Sequence, residues 1–215
     1  MAVINPNLVG GTNITAFLDM IASKASEGTA SSPVTANDGY DVIVSGVNGP
    51  NIFTDYSQHP FASGRAPVVV NHVGLTSTAS GRYQFLVKDW LAYKALLSLP
   101  DFSPLSQDKW AIRLIKECNA IPAILAGDLD TAIGLCAHIW ASLPGNSYGQ
   151  PESTDAALEA ADTAAGGVIG APAAESVPEP MPVPAATSEG TLAVVEAPVS
   201  APSLVQDVVS FIERI

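Results

Sequence analysis

The sequence predicts an α+β fold, with a mostly helical lobe, a small β-hairpin lobe and a cleft between them. Three observations lead there. Residues 1–150 carry four stretches with apolar residues at helical spacing, one short pair of β-branched runs around a Gly-rich turn, and a net charge of only −3. The rest of the chain is different in kind. Of the net −12 over 215 residues, −9 falls after residue 150, where Arg214 is the sole basic residue.

The first helix is expected over Ala16 to Ser26, with Phe17, Leu18, Ile21 and Ala25 on one face and Thr15 as N-cap. Gly28 then supplies a left-handed C′ residue. A polar loop through Ser31, Ser32, Pro33, Asn37, Asp38 and Gly39 follows. Tyr40 to Val44 reads as a strand, Gly46 to Pro50 as a turn and Ile52 to Tyr56 as the returning strand. Three further helices are expected. One starts near Ser80 with Tyr83, Leu86, Val87, Trp90 and Leu97 inward. The next opens at Ser103 with Pro104 at N1 and buries Ala111, Leu114, Ile115 and Cys118. The last runs from about Asp128, with Ala132, Leu135, Cys136 and Ile139 on one face, and ends before Pro144.

Eight prolines lie between Pro151 and Pro202, among many alanines and almost no aromatics. Such a segment buries too little apolar surface to offset its ordering entropy, so residues 151–202 are expected to form a disordered acidic linker. Residues 203–215 regain a helical period through Leu204, Val208, Phe211 and Ile212. They read as a short docking helix for a protein partner, as a frayed end, or as the edge of a longer chain.

Composition excludes several function classes. No basic stripe argues for nucleic acid. No run of eighteen apolar residues suggests a membrane span, and the N-terminus lacks the basic and apolar regions of a secretory signal. His59, His72 and His138 show no metal-ligand spacing, so neither a metal nor another cofactor is expected. Cys118 and Cys136 fit two buried thiols, with a disulfide left open.

The candidate reactive group is Glu27, within Ser26-Glu27-Gly28-Thr29 at the expected end of the first helix. There the negative end of the helix dipole and partial burial both raise a carboxyl pKa, as a general acid requires. The same tetrapeptide recurs around Glu189, in a stretch that cannot fold around it. Asp38, Asp41 and Asp55 are the carboxylates a second catalytic role would draw on, each with an alternative as a turn or strand-end residue. Arg82 fits either a cleft carboxylate, a peptide-stem carboxylate or a solvated helix start. Trp90 and Trp140 fit the core better than a sugar-stacking role, and Trp110 is open to either.

Several blocks, in order, closely resemble the bacteriophage lambda endolysin family. They are Ala16-Phe17-Leu18-Asp19-Met20, Ser26-Glu27-Gly28-Thr29, Gly39 to Val44, Phe53 to Ser57 with His59-Pro60, and Gly81-Arg82-Tyr83-Gln84. Asp101 to Pro104 with Ser106 to Asp108, and Ile139 to Gly145 with Tyr148-Gly149-Gln150, complete the set. The resemblance covers most of residues 16–150. It implies a lysozyme-like fold and a lytic transglycosylase acting on peptidoglycan, with a hydrolytic muramidase or a wall-binding virion module as the alternatives. Carried over, Glu27 matches the sole catalytic acid/base, and Asp41, Gln84 and Tyr148 match cleft-lining, substrate-binding positions. The chain departs from the family in a longer link at Ser23 to Ser26, in the loop from Phe61 to Thr76, and in the tail after Gln150. Lack of a signal sequence implies holin-dependent release from the host cytoplasm to the periplasm, or delivery on a virion.

Overall fold

A computed structural model describes residues 1–146 and 152–170, all within one compact unit. The expected helix at residues 203–215 and most of the expected linker lie outside them. At the centre is helix α1, Thr12–Ala22, in which Ile14 and every residue from Ala16 to Ala22 are buried. A helix that is apolar on nearly all sides is a core helix. Its start is Gly11, not Thr15, whose hydroxyl instead donates back to the Thr12 carbonyl. It ends at Ala22 because Ser23 turns to an extended backbone. Asp19, buried on this helix, is charge-paired with Arg82 at 2.6 Å and accepts from the Ala2 amide.

The small lobe holds two antiparallel hairpins: β1, Val42–Gly46, with β2, Gly49–Ile52; and β3, Val68–Val69, with β4, Thr76–Ser77. The first register pairs Val42 with Ile52 and Gly46 with Gly49. The hairpin therefore turns at Val47 and Asn48, and Gly49 and Pro50, expected in the turn, belong to the returning strand. Gly46 is where the two hairpins touch. A Cβ there would lie 2.5 Å from the Val69 carbonyl, which accepts from the Val47 amide. The β3–β4 hairpin lies in the loop that carried no strand expectation.

Helix α2, Val87–Leu96, starts later than expected. Residues 80–86 form a tight turn instead, in which Ser80 and Phe85 exchange both backbone bonds and Gly81 and Gln84 have φ of 79° and 53°. Helix α3, Pro104–Glu117, follows Ser103 as expected, and Ala111, Leu114, Ile115 and Cys118 are buried. Short α4, Ile121–Leu125, leads through Gly127 into α5, Leu129–Cys136, where the Asp128 carboxylate accepts from the Thr131 amide. Leu135, expected inward, is 38% exposed. Between the helices, Phe102 contacts Trp90 and His59 at ring separations of 5.2 and 4.9 Å, while Phe85 stacks on Trp110 at 4.0 Å.

The expected start of the disordered tail at residue 151 is corrected by α6, Asp155–Ala164. Thr154 caps it, accepting from the Ala157 amide. It packs on α1 and buries Leu158 completely. The chain after it is pinned to α1 by paired bonds between Asn13 and Val168, at 3.0 and 3.2 Å. Composition averaged over residues 151–202 hid this helix, because its ten residues contain no proline. Among the described residues, no helix is long and apolar enough to cross a membrane.

Candidate active site

An open groove of about 670 Å³ runs between the connection after α1 and the β1–β2 hairpin. Glu27, Lys24 and Gln84 line it, with Ser31 and Ser32 along one side and Val42, Val44, Ser45 and Pro50 from the hairpin. Glu27 is held by its backbone. Its amide donates to the Ile21 carbonyl at 2.9 Å, and the Gly28 amide donates to the Ser23 carbonyl at 2.8 Å. Gly28, at φ 70°, takes the left-handed conformation that lets the chain reverse there. Thr29 closes the turn by donating to the Arg82 carbonyl at 2.6 Å.

Glu27 is half-buried as a residue, and its carboxyl takes a hydrogen bond from the Ser142 hydroxyl at 2.8 Å. Burial pushes its pKa up, and the bond from Ser142 opposes that rise. The direction agrees with the sequence reading, and of its two expected causes only burial acts. Because α1 stops at Ala22, Glu27 lies past the last helical turn, and lost water rather than the helix dipole raises it.

Gln84 shares the groove with Glu27; its side-chain amide donates to the Gly81 carbonyl at 2.9 Å. Asp41 does not line it. Its buried carboxylate accepts from the Thr35 hydroxyl and, at 2.8 Å, from the Ala36 amide, which shapes the loop leading into β1. Tyr148 lies outside the described residues. Asp38 pairs with the N-terminal amine and, at 3.1 Å, with Arg82. Exposed Asp55 is held by the Ser57 amide, which keeps its carboxyl below the usual range. Neither borders the groove, so Glu27 is the one carboxylate among the described residues that line it.

Arg82 is not a substrate contact. It is 1% exposed, ion-paired with Asp19 and stacked over the Tyr40 ring. Trp90, Trp110 and Trp140 are all core residues, and the Trp140 indole donates to the Tyr83 carbonyl. His59 is buried, with Nε2 donating to the Phe85 carbonyl and Nδ1 accepting from the Phe61 amide. Burial lowers its pKa to about 4, so it stays neutral at physiological pH. Cys118 and Cys136 are buried free thiols. No cluster of three or more potential metal ligands occurs among the described residues.

Ser142 is the site residue that sequence reasoning passed over. It sits inside Ile139 to Gly145, one of the blocks that carry the family resemblance. Nothing in its local pattern marks it, because it meets Glu27 across 115 residues of chain.

Comparisons with known proteins point to one family and one fold. A family model described as Endolysin matches residues 15–169. The endolysin of Escherichia phage P2 is 56% identical over 169 residues, covering 78% of this chain and 99% of its own length. The endolysin of Escherichia phage lambda is 50% identical over 155 residues, covering 72% and 91%. Among solved structures, the bacteriophage lambda lysozyme complexed with a chitohexasaccharide matches with a TM-score of 0.67 at 47% identity. That match covers 79% of this chain and 99% of the other. These matches extend past Gln150, so the likeness takes in α6, contrary to the expected departure at that point.

Proposed function

Since the chain belongs to the endolysin family, we propose that it degrades peptidoglycan as a lytic transglycosylase with Glu27 as its single acid and base. The observation that carries the finer assignment is the solitary carboxylate. A two-carboxylate hydrolase needs a second Asp or Glu facing the same bond. Among the described residues lining this groove there is none besides Glu27. The glycan is the polymer class suited to an open, mixed polar and apolar groove. The chitohexasaccharide bound by the lambda lysozyme belongs to that class.

The reaction begins with Glu27 protonated, which its raised pKa favours. The carboxylic acid gives its proton to the glycosidic oxygen between N-acetylmuramic acid and N-acetylglucosamine. The C1–O bond breaks, and positive charge spreads over C1 and the ring oxygen. Glu27, now a carboxylate, takes the proton of the muramic C6 hydroxyl as O6 bonds to C1. A 1,6-anhydro ring closes, the acid is regenerated, and no water is consumed. Because O6 belongs to the same sugar, its capture of C1 is intramolecular and outruns attack by water. Gln84 supplies a polar tip for sugar hydroxyl or N-acetyl groups. Tyr148 keeps the substrate-binding role that the resemblance implies, whereas Asp41, which does not line the groove, shapes the loop leading into β1.

For delivery we propose holin-dependent passage from host cytoplasm to periplasm, with carriage on a virion as the alternative. The test of the function is mass spectrometry of fragments released from purified peptidoglycan. Muropeptides one water lighter than hydrolysis products, absent with Glu27→Gln, are expected. Ordinary reducing ends would return the hydrolytic muramidase, and binding to the wall without release would return a binding module.

A further inference from the structure

Three serines from three separate stretches of chain meet around Glu27. Ser142 donates to Glu27 Oε1 at 2.8 Å, and the Ser26 and Ser142 hydroxyl oxygens are 2.7 Å apart. A hydroxyl has one proton. With that of Ser142 spent on Glu27, Ser26 must donate to Ser142, and the order Ser26 to Ser142 to Glu27 is fixed. The third serine anchors the arrangement. The Ser153 amide donates to the Ser142 carbonyl at 2.9 Å, and the Ser153 hydroxyl donates to the Ala25 carbonyl. Ser153 immediately precedes Thr154, the N-cap of α6. The segment ahead of α6 thus ties the Ser142 backbone to the connection that carries Glu27.

The consequence is chemical. Oε1 is occupied by a donor, so a proton on the acid sits on Oε2, which has no partner among the described residues. Building on the assignment of Glu27 as the acid, we propose that Ser142 is a positioning residue of the reaction: it holds Oε1, reserves proton donation and uptake to Oε2, and is itself held by Ser153. Charged groups on the surrounding elements are Lys24 on the same connection, Arg82 with Asp19 and Asp38 behind Thr29, and Glu152 on the segment before α6. The hairpin side of the groove contributes none. Burial and the bond from Ser142 are the two causes that move the Glu27 pKa.

The test compares wild type, Ser142→Ala, Ser142→Thr, Ser153→Ala and Glu27→Gln for clearance of purified peptidoglycan across pH, with thermal midpoints alongside. Ser142→Ala removes a bond that favours the ionised carboxyl. Its alkaline limb is expected to move to higher pH, with kcat down by about tenfold, the value of one lost hydrogen bond. KM is expected to hold, because Ser142 acts on Glu27 and not on the glycan. Ser142→Thr keeps the hydroxyl and restores the wild-type profile, and Ser153→Ala falls between. An unshifted profile overturns the proposal, whether kcat is unchanged or falls only in step with the thermal midpoint. Loss of activity in Glu27→Gln together with an unshifted Ser142→Ala profile rejects the positioning role alone. An active Glu27→Gln rejects the proposed function as well.

Discussion

Ending the chain after Gln150 and ending it after Gly170 are expected to have opposite outcomes. The shorter chain loses α6, and with it the fully buried Leu158, the bonds between Asn13 and Val168, and both bonds made by Ser153. Leu158 alone sets a lower bound. Truncating a fully buried leucine to alanine costs ~3 kcal/mol where the surroundings relax only in part. A domain of this size loses roughly 2–4 °C of melting temperature per kcal/mol, so Leu158→Ala is expected to melt about 6–12 °C lower. Removing all of α6 also exposes the face of α1 that it covers, so the shorter chain is expected to fall at least as far. It should also clear peptidoglycan more slowly, because Ser142 is no longer anchored and the fold around Glu27 is weakened. The chain ended after Gly170 is expected to keep the melting temperature and activity of the full chain. Circular dichroism melts and turbidity clearance of purified peptidoglycan measure both. A chain ended after Gln150 that melts within about 2 °C of the longer one, with equal clearance, would refute the integral role of α6.

Three further outcomes are expected. Glu27→Gln abolishes clearance while leaving the thermal midpoint nearly unchanged, whereas Glu189→Gln in the duplicate tetrapeptide changes neither; equal activity of the two variants would remove Glu27 from its role. Burial raises the Asp162 carboxyl to about 6 from 3.8, so the folded protein binds the proton more tightly than the unfolded chain. Its contribution is therefore fully favourable below pH about 4 and lost as pH rises through about 6, a change of roughly 2–3 kcal/mol that Asp162→Asn should flatten in denaturant titrations at several pH values. Gly81→Ala forces a Cβ to 2.3 Å from the Gln107 side-chain oxygen at a φ of 79°, and Gln107 there accepts from Arg82 and donates to the Tyr40 and Phe102 carbonyls. A loss of about 2 kcal/mol or more is expected by chemical denaturation, and an unchanged midpoint would show that the 80–86 turn has slack.

Local sequence determined the elements whose cues are local. Ser103 with Pro104 fixed the start of α3, Asp128 the start of α5, and Gly28 the left-handed turn after Glu27. These rest on backbone chemistry within a few residues, which neighbouring folds cannot override cheaply. The resemblance blocks likewise singled out Glu27 and Gln84, which do share a groove. Tertiary structure decided the remainder. Residues 80–86 have helical spacing, yet they form a turn because Phe85 is drawn against Phe102 and Trp110 while Tyr83 is buried against Tyr40 and bonded to Asp108. Asp41 and Arg82 carry charges suited to a cleft. They are instead used in burial, Asp41 under the loop at Thr35 and Arg82 against Asp19 on α1. The bond from Ser142 to Glu27 and the seat of α6 on α1 join segments more than a hundred residues apart. No periodicity or cap encodes such contacts. They exist only once burial has brought the two ends of the chain together, and that burial is also what raises the Glu27 acid.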